Sequence, residues 1–264
     1  MRLGLVASVP GPSGWAEWAE LVERADHLGV DAVYLPAGDG DDPLLAAAAL
    51  AGRTRWIRVV AEVAVDEELH PVHLAERIAV ADQCLGGRLG VALSSPAADL
   101  LGETVAVLQL ALSGLPFAHK GPRWTIPARL PANDAVSWSR VTVTPSPVQP
   151  GLPLWLTGPG AAALADERGL VWLAGADDDP ADHRATSPGR PGLRAWTLGD
   201  DGRPDVLATA AALSAERDEW GLGFAFLPLG DPADIETLAH RVRPRVQLAE
   251  LPSGLERYWA SVGI

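Results

Sequence analysis

Cysteine occurs once in this chain, at Cys84, which excludes an intramolecular disulfide framework and any cysteine-built metal cluster. Lysine also occurs once, at Lys120, so 20 of the 21 basic residues are arginine. Positive charge is short overall, with 21 Lys+Arg against 34 Asp+Glu and a net charge of −13. Such acidity repels phosphate backbones and anionic lipid, so neither nucleic acid nor a membrane surface is an expected partner. No apolar run approaches the roughly 20 residues that span a bilayer. The opening MRLGLVASVPGPSG has no long apolar stretch, and its alternation reads as a strand rather than a leader. A cytoplasmic protein is expected. Two motifs are missing as well. No Gly-x-Gly-x-x-Gly turn follows the first strand, where a dinucleotide-binding open sheet needs one, and no nucleophile elbow supports hydrolase chemistry.

What is present is a repeated unit. Hydrophobic residues make up 48% of 264, enough for a large core. A short apolar run, a polar turn and a longer amphipathic run recur along most of the chain. Strands are expected at 2–9, 31–37, 57–65, 88–94, 153–158, 170–175, 193–199 and 223–230. Helices are expected at 14–29, 43–55, 71–85, 99–113, 160–168, 204–220 and 231–242, with a loosely helical tail after Pro244. Asp42-Pro43 and Asp231-Pro232 mark helix starts, and Gly29 a helix end. Residues 114–152 break the rhythm with seven prolines and two alternating segments, RWTIPARL and VSWSRVTVTP, which suit a hairpin-like insertion. Residues 176–192 read as a polar, Pro/Gly-rich loop.

Strict alternation implies parallel strands with right-handed crossovers, and eight units closing on themselves make a (β/α)8 TIM barrel. The expected fold is α/β, one barrel domain over 1–264 carrying the insertion. Barrel enzymes place chemistry at the C-terminal strand ends, here Ser8, Pro36, Glu62, Ser94 with Ser95, Thr157 with Gly158, Gly175, Thr197 and Pro228. Glu62 interrupts the apolar run VVAEVAV, and a carboxylate there is costly unless it is paired or faces a wet pocket. It reads either as a general base or ligand-orienting carboxylate, or as the ion-pair partner of a barrel arginine such as Arg58. His70 and His73 share one face of a helix start, which suits an acid–base role or plain capping. No third ligand has recognisable spacing, so no metal is expected. Gly158-Pro-Gly160 leads into a helix, offering backbone N–H groups to an anion or serving as an ordinary turn. Ser94 and Ser95 could line the pocket or cap the next turn. Trp56, Trp124, Trp138, Trp155, Trp172 and Trp196 are candidate walls for a flat apolar ligand.

The order of segments resembles the luciferase-like monooxygenases, a flavin- or deazaflavin-dependent barrel family. The resemblance is carried by ERADHLGVDAVYLP (23–36), DPLLAAAALAGRTRWIRV (42–59), HPVHLAERIAVADQCLGGRLGVAL (70–93), ETVAVLQLALSGLPFAHKGPRWTIP (103–127), PSPVQPGLPLWLTG (145–158) and DPADIETLAHRVRP (231–244). It implies an oxidoreductase that monooxygenates a small organic substrate, of secondary-metabolite type among others, with FMN or deazaflavin. Ser8, Ser94, Ser95, Thr157, Gly158 and Gly160 would hold the cofactor, and Glu62 and His70 would serve the chemistry. A small molecule is the expected partner, and homodimer formation is left open. The chain also departs from the family pattern. Ala37, Gly38 and Asp39 stand where members carry an acidic residue and a histidine. No arginine lies between Arg88 and Arg123, and Pro159 stands where members offer serine to the flavin phosphate, leaving Thr157 to supply a hydroxyl. These departures predict weak phosphate binding. They also leave two further readings: a flavin-free barrel repurposed as a cyclase or other non-redox enzyme, and a non-catalytic flavin-binding homologue.

Overall fold

In the computed structural model, which describes residues 1–38, 42–128, 139–176, 178 and 190–247, the apolar runs become strands of one parallel sheet. β1 (Arg2–Val6), β2 (Ala32–Leu35), β3 (Arg58–Ala64) and β4 (Leu89–Ser94) come first. An antiparallel pair, β5 (His119–Lys120) and β6 (Thr125–Ile126), interrupts the series. β7 (Leu154–Leu156), β8 (Val171–Trp172), β9 (Arg190–Leu193) and β10 (Leu222–Pro228) complete it. The parallel strands run in the order β8-β7-β4-β3-β2-β1-β10-β9. A parallel bridge between Ala174 and Gly192 joins the two ends, and the Leu193 N–H donates to the Ala174 carbonyl at 2.8 Å. The sheet is therefore a barrel, as strict alternation implies.

Helices α1 (Trp15–His27), α2 (Pro43–Leu50), α3 (Pro71–Leu85), α4 (Ala98–Ala111), α5 (Ala161–Arg168), α6 (Val206–Trp220), α7 (Pro232–Glu236) and α8 (Arg243–Gln247) alternate with the strands. Strand parity sorts the side chains into two cores. Leu3, Leu5, Val33, Leu35, Val59 and Ala61 face the helices and join the larger, outer one. Ala32, Tyr34, Val60, Ala92, Leu173, Phe224 and Phe226 face inward, with Trp155 packed against them. A Cβ on Gly4 would lie 2.7 Å from the Phe226 ring, so a glycine there makes room for the aromatic core.

Three expectations shift. The seventh strand is Arg190–Leu193, not 193–199: beyond it Leu198 pairs back with Pro204 across a tight turn. Pro191 and Gly192 disguise this strand as loop, since proline donates no hydrogen bond to a sheet. In the insertion, Thr125–Ile126 pairs with His119–Lys120, and Val141 pairs only with Phe117. The segment VSWSRVTVTP is thus not a full strand where it is described, and residues 136–138 lie outside the described residues. The last expected helix divides into α7 and a π-type segment Thr237–Val242, and α8 begins the tail that was read as loosely helical.

Candidate active site

Strand parity brings several candidates to the C-terminal mouth of the barrel. Glu62 stands two residues beyond inward-facing Val60, Ser94 two beyond Ala92, and Thr157 two beyond Trp155. Ser8, exposed, follows inward-facing Val6 by the same spacing. Beneath this polar layer lies an aromatic floor. Phe224 and Phe226 stack at 4.5 Å, and Trp155 meets Phe226 edge-on at 6.2 Å.

Glu62 accepts two hydrogen bonds on one oxygen, from the Tyr34 hydroxyl at 2.7 Å and the Ala37 N–H at 3.1 Å. Burial, then the Glu62 charge and hydrogen bond, push the Tyr34 phenol far above its usual range, so it stays a donor. The expected ion pair with Arg58 is overturned. Arg58 lies at the exposed start of β3, four residues and about 13 Å of extended strand away. Glu62 instead borders a cleft of about 420 Å³ walled by Ala37, Gly38, Asp42, Asp66, Leu69 and Arg77. Arg77 is already bonded to Asp42 at 2.5 Å.

His70 does not join Glu62 in that cleft. It is the N-cap of α3, and its Nδ1 accepts from the Val72 N–H at 3.2 Å. Nδ1 must be unprotonated to do so, which fixes the neutral tautomer with hydrogen on Nε2. Burial, then the neighbouring His73, lowers its pKa against the smaller opposing effect of Glu76. The capping reading is the one the geometry supports, and the expected acid–base role of His70 loses its ground. Among the described residues, no group of three His, Cys, Asp or Glu side chains could hold a metal.

At the strand-five end, Gly158 (φ +87°) and Gly160 (φ +74°) turn the chain into α5, which has no side-chain cap. Ser94 borders Gly158, where an added Cβ would sit 3.9 Å from the Ser94 Cβ. Backbone N–H groups in the first turn of a helix lack intrahelical partners, so this turn can hold an anion. One of the expected hydroxyls is committed as a donor: Thr157 donates to the Leu173 carbonyl at 3.1 Å, whereas the Ser95 Oγ accepts from the Ala97 N–H at 3.3 Å as a turn cap, which leaves its proton to donate. The phosphate role expected of Thr157 would need that bond to Leu173 to be given up.

The hairpin sits on the same rim. Glu103 of α4, nearly buried, accepts from the N–H groups of Arg123 at 3.0 Å and Trp124 at 2.9 Å and bonds His119 Nε2 at 3.0 Å. Burial pushes its carboxyl up, but these hydrogen bonds outweigh burial and hold it below the usual range. The Arg123 guanidinium spans Glu67 at 3.0 Å and Asp99 at 2.9 Å, while the Trp124 ring meets His70 edge-on at 4.8 Å. A Cβ on Gly121 would collide with the Glu103 carboxylate, so glycine there leaves room for the tether.

A family model described as luciferase-like monooxygenase matches residues 1–219. The chain belongs to the luciferase-like monooxygenase family. Membership places it among oxidoreductases. Solved structures carry the same fold at low identity. A monooxygenase from Streptomyces bottropensis is 18% identical, with TM-score 0.69 over 92% of this chain and 99% of that one. The oxygenating constituent of 3,6-diketocamphane monooxygenase from Pseudomonas putida, solved with FMN, is 17% identical, with TM-score 0.68 over 93% and 99%. The coenzyme F420-dependent tetrahydromethanopterin reductase from Methanopyrus kandleri is 15% identical, with TM-score 0.67 over 93% and 99%. A comparison with curated proteins found no match.

Within this luciferase-like barrel, sequence reasoning missed Tyr34 and the Glu103 tether. Tyr34 lies in DAVYLPA, where an aromatic in a strand reads as core, and its ring is indeed 1% exposed. Only the register, which sets Tyr34 beside Val60 and one layer below Glu62, shows that its hydroxyl reaches the carboxylate. Among the tryptophans, Trp155 lines the inner core, Trp124 covers His70, Trp56 is exposed, and Trp138 lies outside the described residues.

Proposed function

We propose that this chain is a flavin- or deazaflavin-dependent monooxygenase acting on a small organic molecule at the C-terminal mouth of the barrel. The family match over residues 1–219 carries the reading. The relatives solved with FMN and named for coenzyme F420, a deazaflavin, support this choice of cofactor. The residues present fit such a group. The phosphate end would rest on the Gly158–Gly160 turn at the start of α5, beside Ser94, and the ring over the aromatic floor. When bound, a reduced flavin supplies the redox and oxygen-activating chemistry. The chain positions and shields. Phe226, fully buried, fills the barrel beneath the mouth, with Phe224 and Trp155 packed against it. The tethered hairpin narrows the rim between Glu67 and Asp99. Glu62 offers a carboxylate oxygen to the cleft, where it would orient substrate or accept a proton.

Reconstituting the full chain with FMN or coenzyme F420 tests the reading. Equilibrium dialysis should hold an excess of FMN or of coenzyme F420 on the protein side, and the FMN form should take up oxygen on reduction. Failure of both cofactors to associate would overturn it. The flavin-free reading draws on one observation, that the Thr157 hydroxyl is committed to Leu173.

A further inference from the structure

We propose that Tyr34 is a positioning residue for Glu62, holding its carboxylate so that Oε1 faces the cleft; the inference rests on the reading of Glu62 as the polar group of the reaction. Among the described residues, both donors to Glu62 fall on Oε2, Tyr34 at 2.7 Å and Ala37 at 3.1 Å, which leaves Oε1 without a donor on a side chain that lines the cleft. The Tyr34 bond is of charge-assisted length. The donor itself cannot swing away. Its ring is 1% exposed and leans on Phe226 at 5.6 Å between centroids, within the inner core.

The rest of this core is apolar, and phenylalanine already fills two of its positions, Phe224 and Phe226. A buried hydroxyl costs free energy unless bonded, so tyrosine at 34 is accounted for by its bond to Glu62. The surroundings explain why a donor is needed. Asp42 on the approach to α2, and Asp66 and Glu68 on the loop before α3, face the same cleft and oppose negative charge on Glu62. Arg77 of α3 is the cation there, and it is engaged by Asp42. Tyr34 and the Ala37 N–H offset that repulsion at the carboxylate itself. Burial and the neighbouring carboxylate keep the phenol protonated, so Tyr34 remains the donor of the pair.

The test is carbon-13 carboxyl NMR on the full chain labelled at glutamate, with Glu62→Gln used to assign the signal. Losing one hydrogen bond to a charged group, about 1.5–3 kcal/mol, predicts that Tyr34→Phe tightens proton binding at Glu62 roughly 10-fold or more. A Glu62 titration unchanged in Tyr34→Phe overturns the proposal. The underlying reading fails separately. If Glu62→Gln leaves oxygen uptake with reduced FMN and substrate turnover intact while the titration shifts, Tyr34 orients Glu62 but Glu62 does not serve the reaction.

Discussion

Glutamine at position 62 separates chemistry from scaffolding, because its amide oxygen can still accept from Tyr34 and Ala37 while it can neither carry charge nor take a proton. Glu62→Gln should therefore fold and melt much as the parent does. Turnover should fall about 10²–10⁴-fold, the usual contribution of a positioned acid or base. Arg58→Ala, on an exposed side chain with no role at the mouth, should change stability by no more than about 0.5 kcal/mol. A large drop in melting temperature in either variant would contradict this assignment. The cost of a carboxylate among valines marked Glu62 in the sequence, and the structure gives the reason it is tolerated. Its partner was not legible. Arg58 was nameable because charges attract, whereas a phenol 28 positions away becomes a partner only once β2 and β3 are in register.

At the scale of elements, His70 makes the start of α3 sensitive to pH. Its folded-state pKa lies below the ordinary histidine value, so the neutral form is favoured in the fold. That contribution is fully present above the unfolded value, about 6.5, and is lost as pH falls through the lower, folded value. His70→Ala should cost about 1 kcal/mol at neutral pH, the typical worth of an N-cap. His70→Asn keeps a capping acceptor without a titrating ring, so it should hold neutral-pH stability and flatten this part of the pH profile. Thermal melts of the three proteins from pH 5 to 8 would show it, and parallel profiles for parent and His70→Asn would refute it. Elements were the most legible level of the sequence. Proline- and asparate-marked starts such as Asp42-Pro43 stand where they were read. β9 escaped because RPGL carries the two residues that argue most strongly against a strand, and its place is set by pairing with β10.

For the molecule as a whole, charge decides how a phosphate-bearing cofactor would bind. The net charge is −13, and among the described residues the arginines at the rim are committed: Arg77 to Asp42, Arg123 to Glu67 and Asp99, and Arg194 to Glu216. With the Thr157 proton given to Leu173, the described residues offer an FMN phosphate the backbone at the start of α5 and the hydroxyl of Ser94. A helix terminus contributes about 0.3–1 kcal/mol to an exposed anion, far less than a bidentate arginine in a dry site. The aromatic floor can add ring contact, but it adds it equally for any flat ligand. FMN should thus bind at micromolar Kd or weaker, about −8 kcal/mol or less favourable. Salt gives the sharper signature. An arginine clamp loses affinity as ionic strength rises, whereas here added salt mainly screens repulsion between an acidic protein and an anionic ligand. Titration calorimetry with FMN at low and at physiological salt should therefore give a Kd that holds steady or tightens. Nanomolar affinity that weakens with salt would mean that a basic side chain reaches the phosphate after all.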